Sequence, residues 1–186
     1  MKEYRPLIFF LVKFFITYFV VTLSYDFYLK ETQIINEGSS KTDPYTKEVA
    51  IEASNLYNLM YGESYVEQND NHPYMDFFVE GRKAARINEG CNAISVMIIM
   101  ISFIIAFGRK VIPTVLYTIF SLFFVHIVNI LRISILSDIF FKHSEYAKLA
   151  HDALFPGIIY GAVILICVVW IKFFIFKNEN SNIKKQ

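Results

Sequence analysis

Residues 91–136 read CNAISVMIIMISFIIAFGRKVIPTVLYTIFSLFFVHIVNILRISIL, and this stretch decides the class of fold. It contains two apolar runs, residues 91–107 and 111–136, which are separated by the basic pair Arg109 and Lys110. An apolar run of about 18 or more residues with few charges is typical of a helix that crosses a membrane. The stretch therefore predicts two membrane helices joined by a tight basic connection.

Two further apolar runs, residues 7–25 and 155–176, flank this pair. Apolar residues make up 55% of the chain and aromatic residues 17%, and they are gathered in blocks. We therefore predict an α-helical integral membrane protein with about four transmembrane helices. The run at 91–107 is close to the shortest length that spans a bilayer. The first run is too long, and too rich in Phe and Tyr, for a cleaved signal peptide, so we expect it to be retained.

Lysine and arginine residues cluster where a chain of four spans would return to one side of the membrane. The positive-inside rule makes that side cytoplasmic and places both termini there. Residues 26–90 and a loop at about 137–154 then lie outside, and residues 26–90 hold twelve acidic and six basic residues. The clustered bases are Lys2, Arg5, Arg109, Lys110, Lys177, Lys184 and Lys185.

The outer insertion has local patterns of its own. Asp43 followed by Pro44 predicts the capped start of a helix that extends over residues 47–61. After it we predict a hairpin turn at residues 81–83 and short strands at 64–67, 74–79 and 84–88. The predicted division is a first transmembrane segment at 1–25, the extracytoplasmic helix-plus-β-hairpin insertion at 26–90, a membrane core at 91–176 and a cytoplasmic tail at 177–186.

Cys91, Arg132 and His151 each fall at one end of a different apolar run, and the predicted topology brings these ends to the outer surface. A thiol at a helix N-terminus beside cations is favoured as the nucleophilic thiolate. His151 would serve as general base and acid, and Arg132 would stabilise the oxyanion. Free backbone N–H groups at residues 92–95 would add donors. This chemistry requires no metal or cofactor.

Four further polar residues are candidates for supporting roles, and each has a structural alternative. Asn129 lies one turn before Arg132, and His126 extends this stripe as a supporting residue or a helix–helix hydrogen bond. Glu89 is a partner for Arg132 or a solvated acid. Asp152 orients His151 or caps a helix.

The main residues also have purely structural interpretations. Cys91 could be a small apolar filler, and Arg132 an interfacial side chain that reaches the headgroups. His72 and His143 compete with His151 as loop histidines. Cys167 lies roughly 24 Å deeper than His151 along its helix, which excludes a disulfide with Cys91 and disfavours a redox pair. The H-E-x-x-H pattern of metal-dependent proteases is absent from the sequence.

These residues resemble a known family. Glu89-Gly90-Cys91-Asn92-Ala93, the Asn129 to Arg132 spacing and His151 before the last run are similar to the Cys, Arg and His signatures of the exosortase and archaeosortase family, most of all its short F-type exosortases. The resemblance covers about residues 79–160. Family members often have Ser-Gly after the nucleophile, where this chain has Asn92 and Ala93, and they carry additional N-terminal spans.

The resemblance implies an intramembrane cysteine peptidase or transpeptidase of the bacterial inner membrane, with its active site at the extracytoplasmic face. Its substrates would be exported proteins whose C-terminal sorting signal combines a short motif, a transmembrane helix and a basic cluster. The new carboxyl terminus would pass to an acceptor. Membrane lipid would be a partner and nucleic acid would not. The alternative is a non-catalytic small membrane subunit of an export or envelope-assembly system.

The predicted orientation can be tested by thiol labelling of intact cells. In a Cys167→Ala background, we expect Cys91 to react with a membrane-impermeant maleimide added from outside, because the topology places this thiol at the outer surface. The Cys91→Ala, Cys167→Ala chain is the control and should not be labelled. Labelling that requires permeabilisation would contradict an accessible outer thiol.

Overall fold

The computed structural model describes residues 4–35 and 38–172, which form helices and one small antiparallel sheet. Six α-helices, three strands, a 3₁₀ turn and a π-helical turn occur in this part of the chain. In chain order they are α1 Arg5–Thr32, α2 Pro44–Met60, β1 Ser64–Gln68, β2 Met75–Val79, β3 Arg82–Ile87, the 3₁₀ turn Glu89–Cys91, α3 Ile94–Phe107, α4 Val111–Lys142, α5 Ser144–Leu149, the π-helical turn Ala150–Leu154 and α6 Phe155–Trp170.

Three of the described helices are long and apolar enough to cross a membrane. They are α1, α4 and the continuous segment Ala150–Trp170, with 28, 32 and 21 residues. α1 has no buried residue, and side chains such as Phe9 and Phe15 lie exposed along it. A helix that is apolar all round and unburied matches a lipid environment, because water would not tolerate so large an apolar surface.

The second predicted span is shorter than expected. α3 has 14 residues and begins at Ile94, not at Cys91. At about 1.5 Å per residue it is roughly 21 Å long, which is less than a hydrocarbon core of about 30 Å. The helix starts late because Ala93 adopts a left-handed conformation with φ 64°, which a continuing α-helix does not allow.

The predicted cap of α2 is confirmed. The Asp43 carboxylate accepts a hydrogen bond of 2.9 Å from the backbone N–H of Thr46, and Pro44 occupies the first helical position. The cap satisfies a backbone donor that the helix itself leaves unpaired. One face of α2 then packs on the sheet and on α4 through Val49, Ala53 and Tyr57.

The predicted strands form a three-stranded sheet in the order β1-β2-β3, but the position of the predicted hairpin turn is wrong. The turn consists of Glu80 and Gly81, both with positive φ, while Arg82 and Lys83 already pair with Val79 and Phe78. A tight turn with positive φ at both central residues matches the right-handed twist of the flanking strands. Glycine at the second position lowers the cost of this turn.

The predicted loop at residues 137–154 is also wrong, because helical structure continues through it. α4 extends to Lys142 and is followed by α5 and the π-helical turn. The end of α4 is hydrogen-bonded to α2. The Ser134 hydroxyl donates to the Ala53 carbonyl at 2.7 Å, and Asp138, which lies in the predicted loop, accepts from the Tyr57 hydroxyl at 3.0 Å. The end of α4 thus packs against α2 and the sheet.

A buried amide holds three helices together at the start of α3. The Asn92 side chain donates to the Tyr25 hydroxyl of α1 and to the Thr46 hydroxyl of α2, both at 2.8 Å. Its oxygen accepts from the backbone N–H of Ile94 at 2.9 Å, and the residue is 1% exposed. Asn92 is therefore an anchor of the fold beside Cys91.

We predict that Asn92→Ala lowers the free energy of unfolding by about 2–4 kcal/mol, because it leaves several buried polar groups without partners. Thermal unfolding in detergent measures the change. Asn71→Ala is the matched control: its side chain lies exposed in the β1–β2 turn and should have little effect. Equal shifts for both variants would contradict the anchoring role.

Candidate active site

A cavity of about 470 Å³ lies between strand β3 and helix α4. Cys91, Arg132 and His151, which come from three separate segments, all line it. The fold thus brings the three predicted residues to one cavity. The complete lining is Lys83, Ala84, Ala85, Arg86, Ile87, Cys91, Arg132, Ile133, Leu136, Ser137, Phe140 and His151.

Cys91 is half-buried at the end of the 3₁₀ turn, three residues before α3 begins. Its thiol donates a weak hydrogen bond of 3.4 Å to the Asn88 side-chain oxygen. The expectation that Cys91 is the first residue of a membrane helix is therefore wrong. Two of the predicted backbone donors are also occupied, because the N–H of Asn92 bonds to Glu89 and that of Ile94 bonds to the Asn92 side chain.

Asn129 links Cys91 to Arg132. Its side-chain nitrogen donates to the Cys91 carbonyl at 2.8 Å, and its side-chain oxygen accepts from the Arg132 guanidinium at 3.2 Å. Asn129 is fully buried. Because a buried amide must keep its hydrogen bonds, this residue fixes the position of both neighbours. The predicted supporting position of Asn129 is thus matched by direct contacts.

His151 lies in the π-helical turn that leads into α6, and its Nδ1 atom is 2.8 Å from an Asp152 carboxylate oxygen. An ionised carboxylate has no proton to donate and can only accept hydrogen bonds. Nδ1 is therefore the donor in this contact, and Nε2 is left for other partners. The ring centre lies 6.4 Å from that of Phe140, another residue of the cavity. Asp152 thus contacts the imidazole directly, as one of its two predicted roles requires.

Glu89 and His126 lie outside the cavity. In the described residues no ion pair joins Glu89 to Arg132, and Glu89 is exposed. His126 contacts α2, with Nε2 2.8 Å from the Glu52 carboxylate and Nδ1 3.2 Å from the Tyr45 hydroxyl. These contacts match the helix–helix alternative for His126. Burial is the main cause that raises the pKa of the Tyr45 hydroxyl, and the nearby Glu52 carboxylate raises it further.

The competing residues lie elsewhere. His143 is exposed near Glu145, and His72 stacks on the Tyr74 ring. Cys167 is half-buried and packs against the core formed by α3, α4 and α6. None of these residues lines the cavity beside Cys91. The interpretation of Cys167 as an apolar filler agrees with its surroundings.

Sequence reasoning missed several members of the site. The Asn88 side chain accepts the hydrogen bond of the Cys91 thiol. Asn88 lies three residues before Cys91, which is one turn of a 3₁₀ helix. Ser137 and Phe140 continue the face of α4 that carries Arg132, at helical spacing. Lys83 and Arg86 come from β3, whose hairpin leads directly into residues 89–91, but the sequence does not show which of its side chains lie beside Cys91.

The cavity is positively charged. Lys83, Arg86 and Arg132 line it, and none of the described residues in its lining is acidic. Lys83 forms an ion pair with Asp76, and the Arg86 guanidinium lies 5.7 Å from the centre of the Tyr74 ring. Within residues 4–35 and 38–172, no group of three or more His, Cys, Asp or Glu side chains is arranged to hold a metal ion.

Comparison with known proteins gave no match to a family model, a curated protein or a solved structure. The resemblance to exosortases therefore stays a prediction that depends on the three signature residues and their order.

The contacts of α4 predict different effects for two residues that lie one turn apart. Asn129→Ala should lower the free energy of unfolding by about 2–4 kcal/mol, because it leaves buried groups unpaired, and it should speed alkylation of Cys91 by releasing its backbone. His126→Gln should lower the free energy of unfolding by about 1–2 kcal/mol, because it alters the contacts to α2, and it should leave the alkylation rate of Cys91 unchanged.

Thermal unfolding and timed maleimide labelling, both in a Cys167→Ala background, measure these quantities. Faster alkylation in His126→Gln than in Asn129→Ala would contradict the assignment of Asn129 to the site and of His126 to the helix interface.

Proposed function

We propose that this protein is a membrane-embedded cysteine peptidase or transpeptidase of the exosortase type. The observation that carries the proposal is that a thiol, a guanidinium and an imidazole from three distant segments line one cavity. Cys91 would be the nucleophile, His151 the general acid and base, and Arg132 the group that stabilises the oxyanion. This combination is what acyl transfer through a thioester requires.

The reaction would proceed in two steps. The Cys91 thiol passes its proton to Nε2 of His151, and the sulfur attacks the scissile carbonyl carbon, whose oxygen becomes an oxyanion beside Arg132. The C–N bond then breaks as His151 donates the proton to the leaving amine, which gives a thioester. An acceptor amine or water attacks this thioester, the C–S bond breaks, and the thiol regains its proton. Cys91 and His151 are not in hydrogen-bond contact, so substrate binding would close this distance.

Two residues would position this machinery. The Asp152 contact at Nδ1 of His151 leaves Nε2 for proton transfer and favours the imidazolium that forms. Asn129 would orient Arg132 through its side-chain oxygen and fix the Cys91 backbone through its side-chain nitrogen. Both residues would therefore act through their neighbours.

We further propose that the chain lies in the bacterial inner membrane with this cavity at the extracytoplasmic face. Support comes from the opposite end of the helices, where Arg5, Lys13 and Arg109 line one cavity of about 740 Å³, and no acidic residue belongs to its lining in the part of the chain that the structure describes. A basic end of this kind is retained on the cytoplasmic side. The substrates would be exported proteins with a C-terminal sorting signal, and the acceptor is left open.

The catalytic assignment is tested by substitution in the native host. Cys91→Ala should abolish processing of proteins that carry the sorting signal, because the nucleophile is lost. His151→Ala should slow processing by roughly 10²–10⁴-fold, the usual effect of losing a general acid and base. Arg132→Ala should slow it by roughly 10²–10³-fold, the usual effect of losing a group that stabilises the oxyanion. Immunoblots of processed and unprocessed substrate measure the effect.

Matched controls come from the same chain. Cys167→Ala and His143→Ala remove the same functional groups outside the cavity and should retain processing. Trapping of a thioester at Cys91, followed by mass spectrometry, would identify the attached protein. Normal processing in Cys91→Ala cells would refute the enzyme and favour a non-catalytic subunit.

A further inference from the structure

The cavity beside Cys91 is bounded on one side by β3, which is an edge strand. The sheet order is β1-β2-β3, so β3 pairs with β2 alone. Among the described residues, no backbone hydrogen bond joins β3 to any other element. Every second residue of such a strand directs its N–H and C=O away from the sheet. A row of unpaired backbone groups therefore faces outward from β3.

The lining shows that the cavity runs along this open edge. Five consecutive residues, 83–87, line it. Successive side chains of a strand point to opposite faces, so a cavity on one face would be lined by alternate residues. A register shift between β2 and β3 leaves Ala84 as a bulge, where this alternation does not hold. Residues 85–87 beyond the bulge still line the cavity without alternation, so the cavity contacts this part of the strand from its side.

Helix α4 forms the opposite wall of this groove. The wall extends from Arg132 to Phe140, about 12 Å along the helix, and residues 83–87 of β3 extend about 13 Å. The two walls therefore match in length. A groove of about 470 Å³ between a strand edge and a helix fits a short extended peptide of about four residues.

The α4 wall carries buried polar atoms that have no partner in the described chain. The Ser137 hydroxyl belongs to a residue that is 1% exposed, and Nε of Arg132 is buried as well. Buried polar atoms without partners are costly, and native structures keep few of them. Both residues line the groove, and since the two atoms are themselves covered, a rotation of each side chain would bring them to the carbonyl oxygens of a bound main chain.

We propose that this groove binds an extended peptide segment of the substrate as a fourth strand on the open edge of β3. The segment would bond its main chain to β3 and to the polar atoms of α4, and its scissile carbonyl would lie next to Cys91. Lys83, Arg86 and Arg132 favour acidic or neutral side chains on the segment over basic ones. This inference rests on the proposed function for its choice of substrate, but its test does not require catalysis.

The test tethers a synthetic peptide to Cys91 in the full-length Cys167→Ala protein. The acetylated and amidated peptide CTVETV is supplied as a mixed disulfide with cysteamine; the Cys91 thiolate attacks the peptide sulfur and cysteamine leaves as its thiolate. The fraction of protein tethered against increasing β-mercaptoethanol then reports how well the groove holds the peptide. Mass spectrometry measures this fraction.

A backbone N-methyl scan of the peptide gives the decisive pattern. Each methyl group removes one main-chain donor. If the peptide adds as a strand, N-methylation at every second position should weaken tethering roughly fivefold, because each of these methyl groups removes one hydrogen bond to β3. N-methylation at the positions between them should have no effect. Equal effects at all positions, or no effect, would overturn the proposal.

Two protein variants serve as controls. In a Cys91→Ser, Cys167→Ala chain with Glu48→Cys, the thiol lies on the exposed side of helix α2, and no alternation is expected. Ser137→Ala should weaken tethering at Cys91 while raising the thermal unfolding temperature, because it removes an unpaired buried hydroxyl. Opposite signs of these two changes distinguish lost binding from lost folding.

The two proposals can fail separately, because tethering needs a thiol at position 91 and no turnover. Alternation together with normal processing in Cys91→Ala cells would retain the peptide groove and refute the enzyme. Loss of processing without alternation would retain the enzyme and refute strand addition.

Discussion

The hydrogen bond from the Asn129 side chain to the Cys91 carbonyl is the contact on which the arrangement of the site depends. It joins the middle of α4 to the chain just before α3, two segments that the sequence separates by 38 positions. The same amide accepts from Arg132, so one fully buried side chain fixes the thiol-bearing backbone and the guanidinium together. A buried amide cannot give up either bond without a replacement, and this requirement restricts how α4 and the 3₁₀ turn pack.

The length of α4 explains why a sheet lies next to a helix that is apolar enough to cross a membrane. With 32 residues, α4 is about 48 Å long, well beyond a hydrocarbon core of about 30 Å. Its last turns pack on α2 and the sheet, where Ile130 and Ile133 share a core with Val49, Ala53 and Phe77. Tyr57 adds a hydrogen bond to Asp138, and burial followed by this bond raises the pKa of the Tyr57 hydroxyl. This packing brings the edge of β3 to the side of Arg132.

Local rules predicted the parts of the fold that local energetics govern. The apolar runs, the Asp43 cap and the three strands were predictable because hydropathy, capping and alternation act over a few residues. The loop at residues 137–154 was mispredicted because the end of an apolar run need not be the end of a helix: α4 continues to Lys142, and Asp138 in this stretch is paired with Tyr57 of α2. The start of α3 was misplaced because the left-handed backbone of Ala93 has no signature in hydropathy.

The sequence by itself determined that the chain contains helices long and apolar enough to cross a membrane, and the order in which Cys91, Arg132 and His151 follow one another, because both depend only on composition and position. The tertiary structure alone decided which polar side chains meet. It directed His126 toward Glu52, although the helical stripe pointed to the site, and it made Asn92 a link between helices. It also brought β3 to the cavity. Contacts between distant segments depend on how whole elements pack, and no pattern within one segment specifies that packing.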